Sequence, residues 1–151
     1  MTLEEIKKEE ERVNKMRQQN EKMLLKDFLK NNNISEKSKK DGIYFIVKKR
    51  GYGKKPLPGD SVIVQYVGRL INNRIFESTY LKNEPFKFIC TDSNLIPGWN
   101  IAISYMHEGE EAIAIIPSNL AYGKKGISEI IPPYSTLVFD ITMVKVKRNK
   151  H

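Results

Sequence analysis

The chain has 151 residues, which fits one compact domain with a short appendage and leaves too little length for two domains of ordinary size. Hydrophobic residues at 40% and charged residues at 29% support a folded core, and no apolar run approaches the ~18 residues of a membrane-spanning helix, so wholesale disorder is excluded and the sequence offers no transmembrane candidate. The net charge of +8 divides into +2 over residues 1–41 and +6 over residues 42–151, scattered in pairs, so no dedicated nucleic-acid site is expected and the clustered Lys145-Val146-Lys147-Arg148-Asn149-Lys150 reads as a solvated tail.

Residues 2–31 read as a helix uninterrupted by glycine or proline. Thr2 and Glu5 fit a capping box, and Glu4/Lys8 and Glu11/Lys15 are favourable four-apart pairs. Leu3, Ile6, Val13, Met16, Met23, Leu24, Phe28 and Leu29 recur near helical spacing, but Glu10, Arg17 and Asn20 break the stripe. Two readings stand side by side: a packing or dimerising helix, and a solvated helix whose last turns dock on the domain. The polar stretch from Asn31 to Gly42 reads as a linker, so residues 1–41 form a helical extension and residues 42–151 the main domain.

From there the pattern turns to period two. Ile43–Lys49 is a predicted strand, and Gly51 to Asp60 is a loop dense in turn formers. Val62, Val64 and Tyr66 alternate along the next strand, and Asn72-Asn73 predicts a two-residue hairpin turn before Arg74-Ile75-Phe76. Phe86, Phe88 and Cys90 share a strand face. Pro97-Gly98 opens a short helix with Trp99, Ala102, Ile103 and Met106 on one side. Strands follow at Glu111–Ile116 and Thr136–Val146, separated by a proline- and glycine-rich loop from Pro117 to Pro133. These elements give an α+β fold, an antiparallel sheet with one short helix to cover it.

The chemistry of many enzyme classes has no material here. His107 and His151 are the only histidines and Cys90 the only cysteine, which leaves no histidine metal motif, no triad and no disulfide. Gly51-x-Gly53 and Gly123-Lys124-Lys125-Gly126 lack a complete phosphate-loop signature. What remains is a supply of aromatics beside turns, suited to a core or to an apolar basin with a tyrosine hydroxyl at its rim.

One ordered series is specific. Pro58-Gly59-Asp60-Ser61-Val62, Tyr66-Val67-Gly68, Phe76-Glu77-Ser78, Pro85-Phe86-Lys87-Phe88, Ile96-Pro97-Gly98-Trp99, Met106-His107-Glu108-Gly109-Glu110, Leu120-Ala121-Tyr122-Gly123, Ile131-Pro132-Pro133 and Leu137-Val138-Phe139-Asp140 resemble the FKBP-type peptidyl-prolyl cis-trans isomerases in order and spacing. The resemblance implies a twisted antiparallel sheet wrapped around one short helix. It also implies a site with Trp99 as floor and Tyr66, Phe76, Phe86 and Phe139 as walls. Leu95 and Ile96 form an aliphatic pair whose Ile96 amide meets the substrate carbonyl, Tyr122 gives the rim hydroxyl, and Ile131 lies on the loop over the site with Ile130. Glu77 stands where the family usually carries aspartate.

The activity so implied is rotation about Xaa-Pro bonds in unfolded or partly folded polypeptides, with no covalent step and no cofactor. A non-catalytic peptide-binding or chaperone module with the same pocket is the alternative. Macrolide inhibitors and a homodimer through the amino-terminal helix are further implied partners. The helix-first layout is similar to that of exported bacterial FKBPs, Mip-like and lipoprotein forms among them. It implies the cell envelope or periplasm for a processed chain and the cytoplasm otherwise. Because the family motifs begin after the linker, the helix is expected to be dispensable for catalysis.

Overall fold

The computed structural model describes residues 1–149; Lys150 and His151 lie outside the described residues. The stretch expected as a solvated tail is folded instead: residues 145–147 end the last strand with Val146 buried, and Arg148 and Asn149 donate to the buried Asp60. Helix α1 runs Leu3–Asn31, with the Thr2 hydroxyl accepting the Glu5 amide at 3.2 Å as the capping residues predict. The Glu5 carboxylate takes the Thr2 hydroxyl at 3.3 Å, which closes the cap side chain to side chain. Leu3, Met16, Met23 and Leu24 are exposed along the helix, whereas in its last two turns Leu29 is buried with Tyr44, Ile115 and Val138 and flanked by Leu25 and Phe28. The last turns of the helix thus dock on the sheet, which supplies the partner that an isolated helix lacks. No described helix is long and apolar enough to cross a membrane.

The stretch expected as a linker is folded. Asn33 turns the chain with φ +55°, Ser35 caps a single 3₁₀ turn at Glu36–Ser38, and β1 (Lys39–Lys40) pairs antiparallel with β2 (Ile43–Lys49). Asp41 and Gly42 both take positive φ, 51° and 87°, the conformation of the tight hairpin turn that Asp-Gly favours. Two tyrosines clamp this segment. Tyr44 donates to the Glu36 carboxylate at 2.8 Å and Tyr105 to Asp41.

Burial and those carboxylates push both hydroxyls up to about 12. The folded state therefore holds these protons more tightly than the unfolded chain, whose tyrosines titrate near 10. Their stabilisation is present below that value and disappears as pH rises toward 12. Denaturant midpoints across this window should fall, and a Tyr44→Phe/Tyr105→Phe double variant should flatten the decline.

The remaining strands are β3 (Ser61–Leu70), β4 (Ile75–Ser78), β5 (Phe86–Ile89), β6 (Glu111–Ile116) and β7 (Leu137–Lys147). They form one antiparallel sheet in the order β1-β2-β6-β7-β3, with β4 and β5 sharing the far edge of β3. A one-turn helix α2 (Thr79–Lys82) connects β4 to β5, and α3 (Pro97–Tyr105) crosses the inner face. Alternation sorts the two faces: Ala114, Ile116, Phe139 and Ile141 face α3, while Ile115 and Val138 face α1. Gly98 lets α3 lie close, since a Cβ there would stand 2.3 Å from Ile116 Cγ2.

Candidate active site

The inner face gathers its rings from four strands and α3. Trp99, 4% exposed, has Tyr66 at 4.9 Å, Phe139 at 5.4 Å, Phe88 at 5.7 Å and Phe86 at 6.0 Å between ring centroids, all edge-on. Phe76 joins through Phe139 at 5.8 Å, and Phe86 stacks on Phe88 at 5.0 Å. Edge-to-face pairs contribute about 0.5–1.5 kcal/mol each beyond burial, so the rings brace one another into a packed apolar face.

Local backbone features aim these rings. Gly68 pairs with Glu77 and Arg69 with Ile75, so Phe76 is the extra residue of a bulge, a device that re-aims a side chain. Gly68 makes the room, for a Cβ there would come within 2.7 Å of Phe76 and 3.0 Å of Phe139. Tyr66 lies where β3 leaves its edge partners, and the buried Thr79 hydroxyl fills that gap, accepting the Tyr66 amide at 2.9 Å and donating to its carbonyl at 3.3 Å.

The polar rim centres on Glu77. Its carboxylate pairs with Lys82 at 2.8 Å, and its charge acts on the Tyr66 and Tyr122 hydroxyls. Burial first, and then the Glu77 charge, push the Tyr66 and Tyr122 hydroxyls upward, so both stay protonated donors at neutral pH. Tyr122 is 38% exposed on the loop between β6 and β7.

Leu95 and Ile96 are half-buried against the same cluster, where Asp92 braces their turn by accepting the Leu95 and Asn94 amides and the Asn100 side chain. The Ile96 carbonyl starts α3 by accepting from Trp99, and among the described residues its amide has no acceptor. Ile131 is 2% exposed and packs into the core, bridged to Ile127, while Ile130 is the exposed member of the loop pair. Trp99 Nε1 is likewise buried without an acceptor among the described residues.

Eight of the ten residues singled out in the sequence, Tyr66, Phe76, Phe86, Leu95, Ile96, Trp99, Ile131 and Phe139, lie in or against the inner-face cluster, while Glu77 and Tyr122 are tied to it by charge, through the Tyr66 hydroxyl. Sequence reasoning left out Phe88, Thr79 and Lys82. Phe88 was legible as the alternation partner of Phe86; α2, a single turn, carries no periodic signal. Cys90 is buried, and burial with the nearby Asp60 pushes its thiol up. No group of three or more metal-ligating side chains occurs among the described residues.

Residues 53–144 match the family profile of FKBP-type peptidyl-prolyl cis-trans isomerases. The chain belongs to this family. Among FKBP relatives, a probable FkpA isomerase of Neisseria meningitidis is 40% identical over 121 residues, 79% of this chain and 44% of that protein. FK506-binding protein 2 of Candida glabrata is 42% identical over 77% of this chain and 89% of its own length. The chain thus spans less than half of the Neisseria FkpA but nearly all of the Candida FKBP. A peptidyl-prolyl isomerase from Pseudomonas syringae superposes with TM-score 0.75 at 30% identity, covering 89% of this chain and 96% of its own. That breadth takes the structural likeness beyond the part matched by the family profile.

Proposed function

We propose that the protein accelerates cis-trans rotation of Xaa-Pro bonds in unfolded or partly folded polypeptides, with residues 42–151 as the catalytic unit and residues 1–41 as a helical arm. The observation that carries this is the ring network around Trp99, packed against Ile96, whose amide is unpaired among the described residues.

The barrier to rotation is ~18–20 kcal/mol because resonance holds the peptide planar, and the planar form is also the more charge-separated one. An apolar floor of Trp99 with walls of Tyr66, Phe76, Phe86 and Phe139 favours the twisted amide. The Ile96 N–H and the Tyr122 hydroxyl donate to carbonyls as they rotate, and only binding that strengthens in the transition state speeds the reaction. Glu77 fills the role of the shorter family acid with its charge beside the Tyr66 hydroxyl, and Leu95 and Ile131 complete the apolar lining. No step uses a nucleophile or a cofactor.

Macrolides would compete for the same basin, in line with the name of the Candida relative. The cell envelope is the location we attach to the helix-first layout, with the cytoplasm as the alternative.

Refolding of a protein limited by a proline isomerisation tests the proposal, since that phase takes tens to hundreds of seconds uncatalysed. Catalytic amounts of the protein should shorten it; an unchanged slow phase would favour the non-catalytic module. Tyr122→Phe should keep the fold and lower turnover by roughly twofold to tenfold, the equivalent of one neutral hydrogen bond. Full activity in that variant would remove Tyr122 from the site.

A further inference from the structure

We infer that Glu21 of α1 is a positioning residue for catalysis, latching the neck of the loop that carries Tyr122 and Ile131; this rests on the isomerase reading of the site. The Glu21 carboxylate accepts three hydrogen bonds from the two ends of that loop. Ser118 donates its amide at 2.8 Å and its hydroxyl at 2.6 Å, and Thr136 donates its hydroxyl at 2.7 Å. Ser118 and Thr136 are both buried, and one carboxylate from a distant helix thus holds the two ends together.

The contact leads on to the rim. The Ser118 carbonyl accepts the amides of Ala121 at 3.0 Å and Gly123 at 2.9 Å, the residues on either side of Tyr122. Gly123 in turn accepts the Tyr134 amide at 2.9 Å, two residues before Thr136. A continuous chain of hydrogen bonds therefore runs from Glu21 to the backbone around Tyr122. Hydrogen bonds to a carboxylate are about twice as strong as neutral ones, which suits Glu21 to holding a loop neck against thermal opening. Further along α1, Glu9, Glu10, Val13, Asn14 and Arg17 border a cleft closed on its other side by Lys124, so the helix flanks the loop as well as its base. The helix expected to be dispensable, because the family motifs begin after it, is on this reading part of the active-site scaffold.

Point variants of the full chain test it. Glu21→Ala should lower kcat/KM by roughly threefold to tenfold at temperatures well below unfolding. Glu21→Gln should restore most of the loss, because one amide oxygen can accept from Ser118 N and Thr136 Oγ1 while the amide nitrogen donates to Ser118 Oγ. Leu29→Ala, which loosens the buried end of α1 without touching the loop, should reduce stability and leave kcat/KM unchanged. Amide exchange across residues 119–134 should speed up in Glu21→Ala and not in Leu29→Ala, a readout that holds whether or not the protein is an isomerase. Thr136→Val, nearly isosteric, probes the same latch from the loop side should Glu21→Ala fold poorly. Unchanged kcat/KM and unchanged loop exchange in the folded Glu21→Ala or Thr136→Val protein would overturn the inference, as would an equal loss of activity in Leu29→Ala. Absence of turnover in the wild-type chain, with faster loop exchange in Glu21→Ala, would refute the isomerase reading and leave the latch standing as a structural one.

Discussion

Trp99→Leu is expected to lower kcat/KM by about 10–100-fold, the effect of withdrawing roughly 1.4–2.7 kcal/mol of transition-state binding. The indole contacts four other rings, so its loss opens the floor and frees Tyr66, Phe86, Phe88 and Phe139 from their edge-on contacts. Stability should fall too, by less than the roughly 3–5 kcal/mol typical of Trp→Ala, because leucine refills part of the cavity. Denaturant titration beside the assay separates the effects: turnover is measured where the variant is fully folded. A folded Trp99→Leu protein with wild-type turnover would take the floor away from the proposed site.

Gly98→Ala gives a second large effect, and its sign decides between two physical terms. Helix propensity alone favours alanine over glycine by about 0.8–1.0 kcal/mol. Packing opposes it, since the new Cβ would stand 2.3 Å from Ile116 Cγ2, and Ile116 is fully buried. The helix must shift off β6 and carry the adjacent Trp99 with it. We expect packing to win by about 1–3 kcal/mol. At roughly 2–4 °C per kcal/mol for a chain of this size, thermal unfolding should drop by several degrees, with reduced turnover. A higher melting temperature would mean that α3 has slack against β6 and that the floor is not fixed by this contact.

Much of the fold is legible in local pattern because burial on one sheet face imposes period two. Ile43–Lys49 and Glu111–Ile116 form as strands with the bounds that alternation gives, and Trp99, Ala102, Ile103 and Met106 are all buried as their helical spacing requires. Turn chemistry is read less well. Asn72-Asn73 does not make a two-residue turn: Leu70 and Arg74 close the hairpin around three residues, with Asn73 alone at positive φ. Asp41-Gly42, weighed as linker composition, is a hairpin turn, since breaker residues mark a change of direction and say nothing about whether the flanks pair.

The site is legible only in part. Period and spacing show which residues are apolar, yet the rings come from four strands and a helix, and their convergence was visible through family resemblance alone. Glu21 lies 97 residues from Ser118 and 115 from Thr136, so its contacts have no signal within any local window.

Acceleration of prolyl rotation, beyond binding of prolyl peptides, is the property that defines this site. Its most direct test is protease-free exchange NMR on an Xaa-Pro peptide with increasing full-length protein, reading binding from shifts and rotation from exchange between cis and trans signals. The exchange rate should rise in proportion to protein concentration and collapse in Trp99→Leu. Peptide shifts that saturate while cis-trans exchange stays at the buffer rate would contradict it.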